Sequence, residues 1–177
     1  LMGQIITSGA YALSLASPTD AALPVILWRN DSLAYAADEE ATGFPASNLG
    51  TVSTLWAEGW RGTSTDPQSI VVTLDPTQEV DGLGLARSNF ATDGTTLSID
   101  VLPPGGDPDE PTDWDEIVAD HVPAADGIVL HRLGLDQHSM LRLNITPVSL
   151  VPRLAVLRVG KLLVMERGIQ PSAPLNW

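Results

Sequence analysis

The sequence predicts an all-β fold, a sandwich of two sheets, and three features point there. Apolar and polar residues alternate in several stretches between Ile70 and Met165, the spacing that puts every second side chain on one face of a strand. Fourteen prolines and fifteen glycines punctuate the 177 residues, which fits many short strands joined by turns. Helical stripes are scarce: SLAYAADEEA (32–41), the best candidate near the front, lacks a persistent i, i+3, i+4 pattern. About eight strands at this spacing favour a sandwich over a helical or α/β fold.

Each element can be read from local pattern. Leu23 to Trp28 is a continuous apolar run, read as a buried strand entered through Pro24 and closed by Asn30-Asp31-Ser32. Ile70, Val72 and Leu74 alternate with Ser69, Val71 and Thr73 until Asp75-Pro76 ends the strand. From Val80 to Ala86, Leu83 and Leu85 share one face while Gly82 and Gly84 take the other, a sign of a bulge or close backbone approach. Asp93-Gly94 is a tight-turn signal, so 88–97 reads as a connection into the strand of Leu97, Ile99 and Val101. The stretch 102–117 reads as a solvated loop pinned to the body by Trp114. Gly127 to His131 is a short strand, and Met140 to Thr146 a clean one with Leu141, Leu143 and Ile145 inward. Arg153 to Met165 is one long strand, or two with a kink at Gly160.

Composition narrows the function. The net charge is −13, with three Arg and twenty carboxylates over 1–130, but six Lys/Arg and two carboxylates over 131–177. An acidic body argues against a nucleic-acid surface, which needs clustered cations. Opposite-sign ends suit either contacts between subunits or the two ends folding together. Apolar runs are too short to cross a bilayer, and the first residues lack the basic leader of a signal peptide. Cysteine is absent, so disulfides and thiolate metal sites are excluded.

Several of these pieces resemble one family. Pro45-Ala46-Ser47-Asn48-Leu49, then Trp56, then Ser69-Ile70-Val71-Val72-Thr73-Leu74, is similar to the opening of discoidin-like (galactose-binding-like) jelly-roll modules. Leu83 to Phe90, Leu141-Arg142-Leu143 and Val159 to Leu163 resemble later strands of such modules. Met165 to Ile169 resembles the exit from the last strand in tail proteins of tailed bacteriophages. The resemblance implies a jelly-roll sandwich over 21–166, with an arm or edge strand over 1–20 before it and an extended arm over 167–177 after it. It also implies a non-enzymatic structural part of a phage tail tip or baseplate, in a virion assembled in the host cytoplasm. Its partners would be other tail proteins, with no cofactor, nucleic acid or membrane insertion. The alternative is a module that attaches the particle to a bacterial surface glycan.

Each candidate site has a plainer reading beside it. Trp56, Glu58, Trp60 and Arg61 could form a sugar platform, with an aromatic face under the ring and charged groups on its hydroxyls; both tryptophans, Trp56 above all, could instead plug the core. Asp107, Asp109, Glu110, Asp113, Asp115 and Glu116 supply Ca²⁺-type oxygens but lack a calcium-loop spacing, so a solvated face is favoured. His121, His131 and His138 have no metal spacing and read as surface or sandwich-edge residues. No nucleophile elbow appears, and no metal site is expected. Ile169, Leu175 and Trp177, beside Arg167, read as an arm that inserts into a neighbour, and Ile5, Ile6 and Tyr11 as residues that pair with a neighbour's sheet edge.

Overall fold

The computed structural model describes residues 4–7, 25–51 and 55–164. Its strands are β1 (Gln4–Thr7), β2 (Val25–Asn30), β3 (Ser32–Ala37), β4 (Trp60–Arg61), β5 (Gln68–Leu74) and β6 (Glu79–Ser88). After a one-turn helix, α1 (Phe90–Asp93), come β7 (Thr96–Leu102), β8 (Asp115–His121), β9 (Ile128–Gln137), β10 (Met140–Thr146) and β11 (Arg153–Val164). One sheet runs β1-β9-β6-β11-β2, with β4 also on β11; the other runs β3-β5-β10-β7-β8. All pairings are antiparallel except β1 with β9.

The predicted all-β sandwich is what forms. Period-two faces seal between the layers: Ile70, Val72 and Leu74 of β5 with Leu141, Leu143 and Ile145 of β10 oppose Leu83, Leu85, Leu157 and Val159 of the other sheet, all at most 2% exposed. Burial of this order is the dominant favourable term in folding. Gly82 and Gly84 of β6 leave room on the outer face, where a Cβ on Gly82 would lie 2.5 Å from Leu162. Strand β11 passes Gly160 unbroken; a Cβ there would sit 1.9 Å from the Arg29 carbonyl, so close approach rather than a kink explains the glycine. The ladder with β2 slips one residue later, between Lys161 and Leu162.

Four expectations change. Residues 32–37 form an edge strand rather than a helix, and 88–97 contains α1, closed by Gly94 at φ 74°. Strand β9 has ten residues instead of the five of Gly127 to His131, because Leu130 and Arg132 are buried on its outer face and blur the alternation. Ile5 and Ile6 lie in β1, which pairs with this chain's own β9 opposite Leu130 and His131, not with a neighbour. Finally, His131 and His138 are buried, at 0% and 8% exposure. Tyr11, Arg167, Ile169, Leu175 and Trp177 lie outside the described residues.

His131 makes the core acid-sensitive. Its Nε2 stands 3.0 Å from His121 Nε2, so one nitrogen must donate and the other accept. Burial, then the neighbouring His121, push its pKa from 6.5 down to about 3, against the pull of the Leu83 carbonyl. Burial lowers His138 as well, opposed by Asp136 and Asp115. The unfolded chain therefore takes up protons below pH 6.5 that the folded chain refuses, and stability is lost as pH falls from there. Urea denaturation is expected to show a loss of up to about 1.4 kcal/mol per pH unit between roughly pH 6 and 4.5. His131→Leu should flatten that slope, and a wild-type profile already flat in this window would contradict the account.

Candidate functional site

One end of the sandwich gathers β4, the exit of β6 into α1, the entry to β9 and the turn from β10 to β11. The turn is built by two buried polar side chains. Asn89, 8% exposed, accepts from the Arg153 N–H (2.8 Å) and donates to the Val151 carbonyl (3.0 Å). Asp93, also 8% exposed, accepts from the N–H groups of Val148, Ser149 and Leu150 at 2.8, 2.9 and 2.7 Å, and from the Ser149 and Thr95 hydroxyls. Burial raises the Asp93 pKa, but these hydrogen bonds outweigh it and hold the carboxyl well below the usual carboxylate range. Asp126 accepts from Ala91 N–H (2.7 Å), Thr92 N–H (3.2 Å) and the Thr92 hydroxyl, tying the approach to β9 onto α1. Gly62 N–H donates to Pro152 carbonyl at 3.1 Å and fastens β4 to the same turn.

Between these anchored segments lies an open cleft of about 500 Å³. Arg61 and Arg153 line one side, Thr92 and Asp126 another, and Leu150 and Val151 give it an apolar wall. Guanidinium groups, hydroxyls and an aliphatic ledge on one fixed frame suit binding of a small polar molecule with an apolar face. The Ser149 hydroxyl, also at the cleft, donates to Asp93, and none of the lining residues is a histidine.

The predicted platform is only partly assembled. Arg61 lines the cleft. Trp60 does not: it is 1% exposed, packs in the core and donates its indole N–H to the Glu39 carbonyl at 2.9 Å, so neither ring face is open to a sugar. Glu58 is exposed at the end of a short 3₁₀ turn (Trp56–Glu58) away from the cleft lining. The side chain of Trp56 lies outside what is described. Thr92, Asp126, Ser149, Leu150 and Arg153 carry no sequence signal of a site, since they sit in ordinary turns far apart in the chain.

Elsewhere, Trp114 does fasten its loop. Its indole donates to Pro108 carbonyl at 3.1 Å and its ring lies 4.3 Å from the Arg142 guanidinium, itself 2.6 Å from Asp100. The acidic loop turns its carboxylates on its own backbone, Asp113 to Asp107 N–H and Asp107 to Asp109 N–H. Among the described residues no three acidic or histidine side chains converge as metal ligands.

This is the discoidin-like, galactose-binding-like β-sandwich fold, as comparison with solved structures shows. Chitosan-binding module 1 from a chitosanase/glucanase of Paenibacillus sp. IK-5 matches at 22% identity and TM-score 0.57, covering 74% of this chain and 98% of that one. CpGH89CBM32-5 from Clostridium perfringens, in complex with GalNAc-β-1,3-galactose, matches at 13% identity and TM-score 0.54, over 71% and 93%. Reduced XRCC1 bound to the DNA polymerase β catalytic domain matches at 12% and 0.56, over 78% and 99%, so the fold also serves protein contacts. No protein-family model and no curated protein matches the chain.

Proposed function

We propose that the chain is a non-catalytic carbohydrate-binding module that holds a saccharide in the cleft between α1 and the β10–β11 turn. The observation that carries this reading is the preorganised cleft itself. Asn89 and Asp93 fix its turn by backbone hydrogen bonds, so little conformational entropy is lost when a ligand settles there. Likeness in fold to sugar-binding modules supports it. Leu150, 44% exposed, offers a ledge for the C–H face of a sugar ring, while the flanking polar groups take its hydroxyls. A place in a phage tail, with subunit contacts through the termini, rests on the sequence resemblance alone.

A glycan array probed with the intact chain tests the proposal. Signal is expected on a structurally related subset of glycans. Absence of signal across neutral and acidic glycans alike would refute it.

A further inference from the structure

Of the eight described cationic side chains, six are engaged. Arg29, Arg142 and Lys161 pair with Asp31, Asp100 and Asp81; Arg158 donates to the carbonyls of Gly50 and Thr51; Arg87 and Arg132 also have partners. Arg61 and Arg153 stand apart: among the described residues neither guanidinium has a hydrogen bond or ion pair. They are also direct register partners across β4 and β11, so both side chains leave the same face of the sheet, into the cleft. Like charges directly opposite each other destabilise a sheet. In a chain with twenty-two carboxylates and nine cations, two opposed and unneutralised guanidiniums are a cost that packing does not explain. The one carboxylate in the cleft lining, Asp126, is already committed to Ala91 and Thr92.

We infer that the cleft takes an acidic saccharide, with an anionic group held between Arg61 and Arg153. Resting on the carbohydrate-binding reading, the inference adds the charge of the ligand. A guanidinium presents a planar fork of donors that matches the oxygens of a carboxylate, and an anion between two such forks relieves their mutual repulsion. Sugar carboxylates and sulfate esters share this chemistry.

Calorimetric titration of the whole chain tests it with three probes: short oligogalacturonides, a sulfated galactan oligosaccharide and a neutral galacto-oligosaccharide. At least one acidic probe is expected to bind about tenfold or more tighter than the neutral one, an advantage that shrinks with added salt. Which acidic probe wins separates carboxylate from sulfate. Arg61→Gln and Arg153→Gln should each remove most of that advantage, while the melting temperature stays level or rises, because a like-charge contact has gone. Equal binding of neutral and acidic probes, or variants that keep the acidic preference, would overturn the inference and leave the carbohydrate reading standing. Failure of all three probes alongside an empty array would remove both.

Discussion

Trp60→Ala is expected to cost about 3–5 kcal/mol of stability, the range for deleting a fully buried aromatic side chain. At 1% exposure the indole fills the layer between the sheets, opposite Leu154 in the β4–β11 register, and water cannot take its place. Its loss also leaves the Glu39 carbonyl without the indole N–H. For a chain of this size the melting temperature should fall by roughly 10 °C or more, with saccharide binding weakened only as far as the fold loosens. A sugar platform would behave the opposite way, losing binding while its melting point held. Differential scanning calorimetry beside a binding titration separates the two, and an unchanged melting temperature would contradict the core assignment.

Asp93→Ala should both destabilise the chain and weaken binding. The substitution strips three backbone N–H groups and two hydroxyls of their acceptor. A buried donor left unpaired costs about 1–3 kcal/mol, and water reaches part of this turn, so a loss of about 3 kcal/mol is expected in all. With Val148 to Leu150 released, the cleft wall must be ordered anew for each ligand, and affinity for a glycan retained on the array should drop about tenfold. The pH dependence has a definite sign. Since the folded carboxyl sits below the ordinary 3.8, its contribution is complete above that pH and fades as pH falls further. The stability gap between wild type and variant, measured by urea denaturation, should therefore narrow below pH 3.8. A variant as stable and as tight-binding as wild type would show that Asp93 does not hold the turn.

Strands that face solvent on one side were legible, and the cleft was not. In β10, Leu141, Leu143 and Ile145 alternate with Arg142 and Asn144, and one-sided burial writes itself into the sequence as period two. Strand β9 is buried on both faces, so IVLHRLGLDQ carries no clean alternation and reads as a fragment. The cleft draws Arg61, Thr92, Asp126 and Ser149 to Arg153 from four separate segments, each with unremarkable turn chemistry. Only the pairing of β4 and α1 with the β10–β11 turn makes them neighbours, and no local pattern encodes that. Trp60 was visible as a residue of consequence, but a tryptophan beside a turn looks the same whether it stacks on a sugar or plugs a core.

The cleft as the binding site is tested most directly by amide chemical-shift mapping of the ¹⁵N-labelled chain with a saccharide that binds on the array. Perturbed amides should cluster at Arg61, Thr92, Ser149, Leu150 and Arg153, leaving the acidic 102–117 loop unmoved. Shifts centred on that loop or on the outer face of β10, with the turn from Val148 to Arg153 silent, would place the ligand elsewhere and contradict the account.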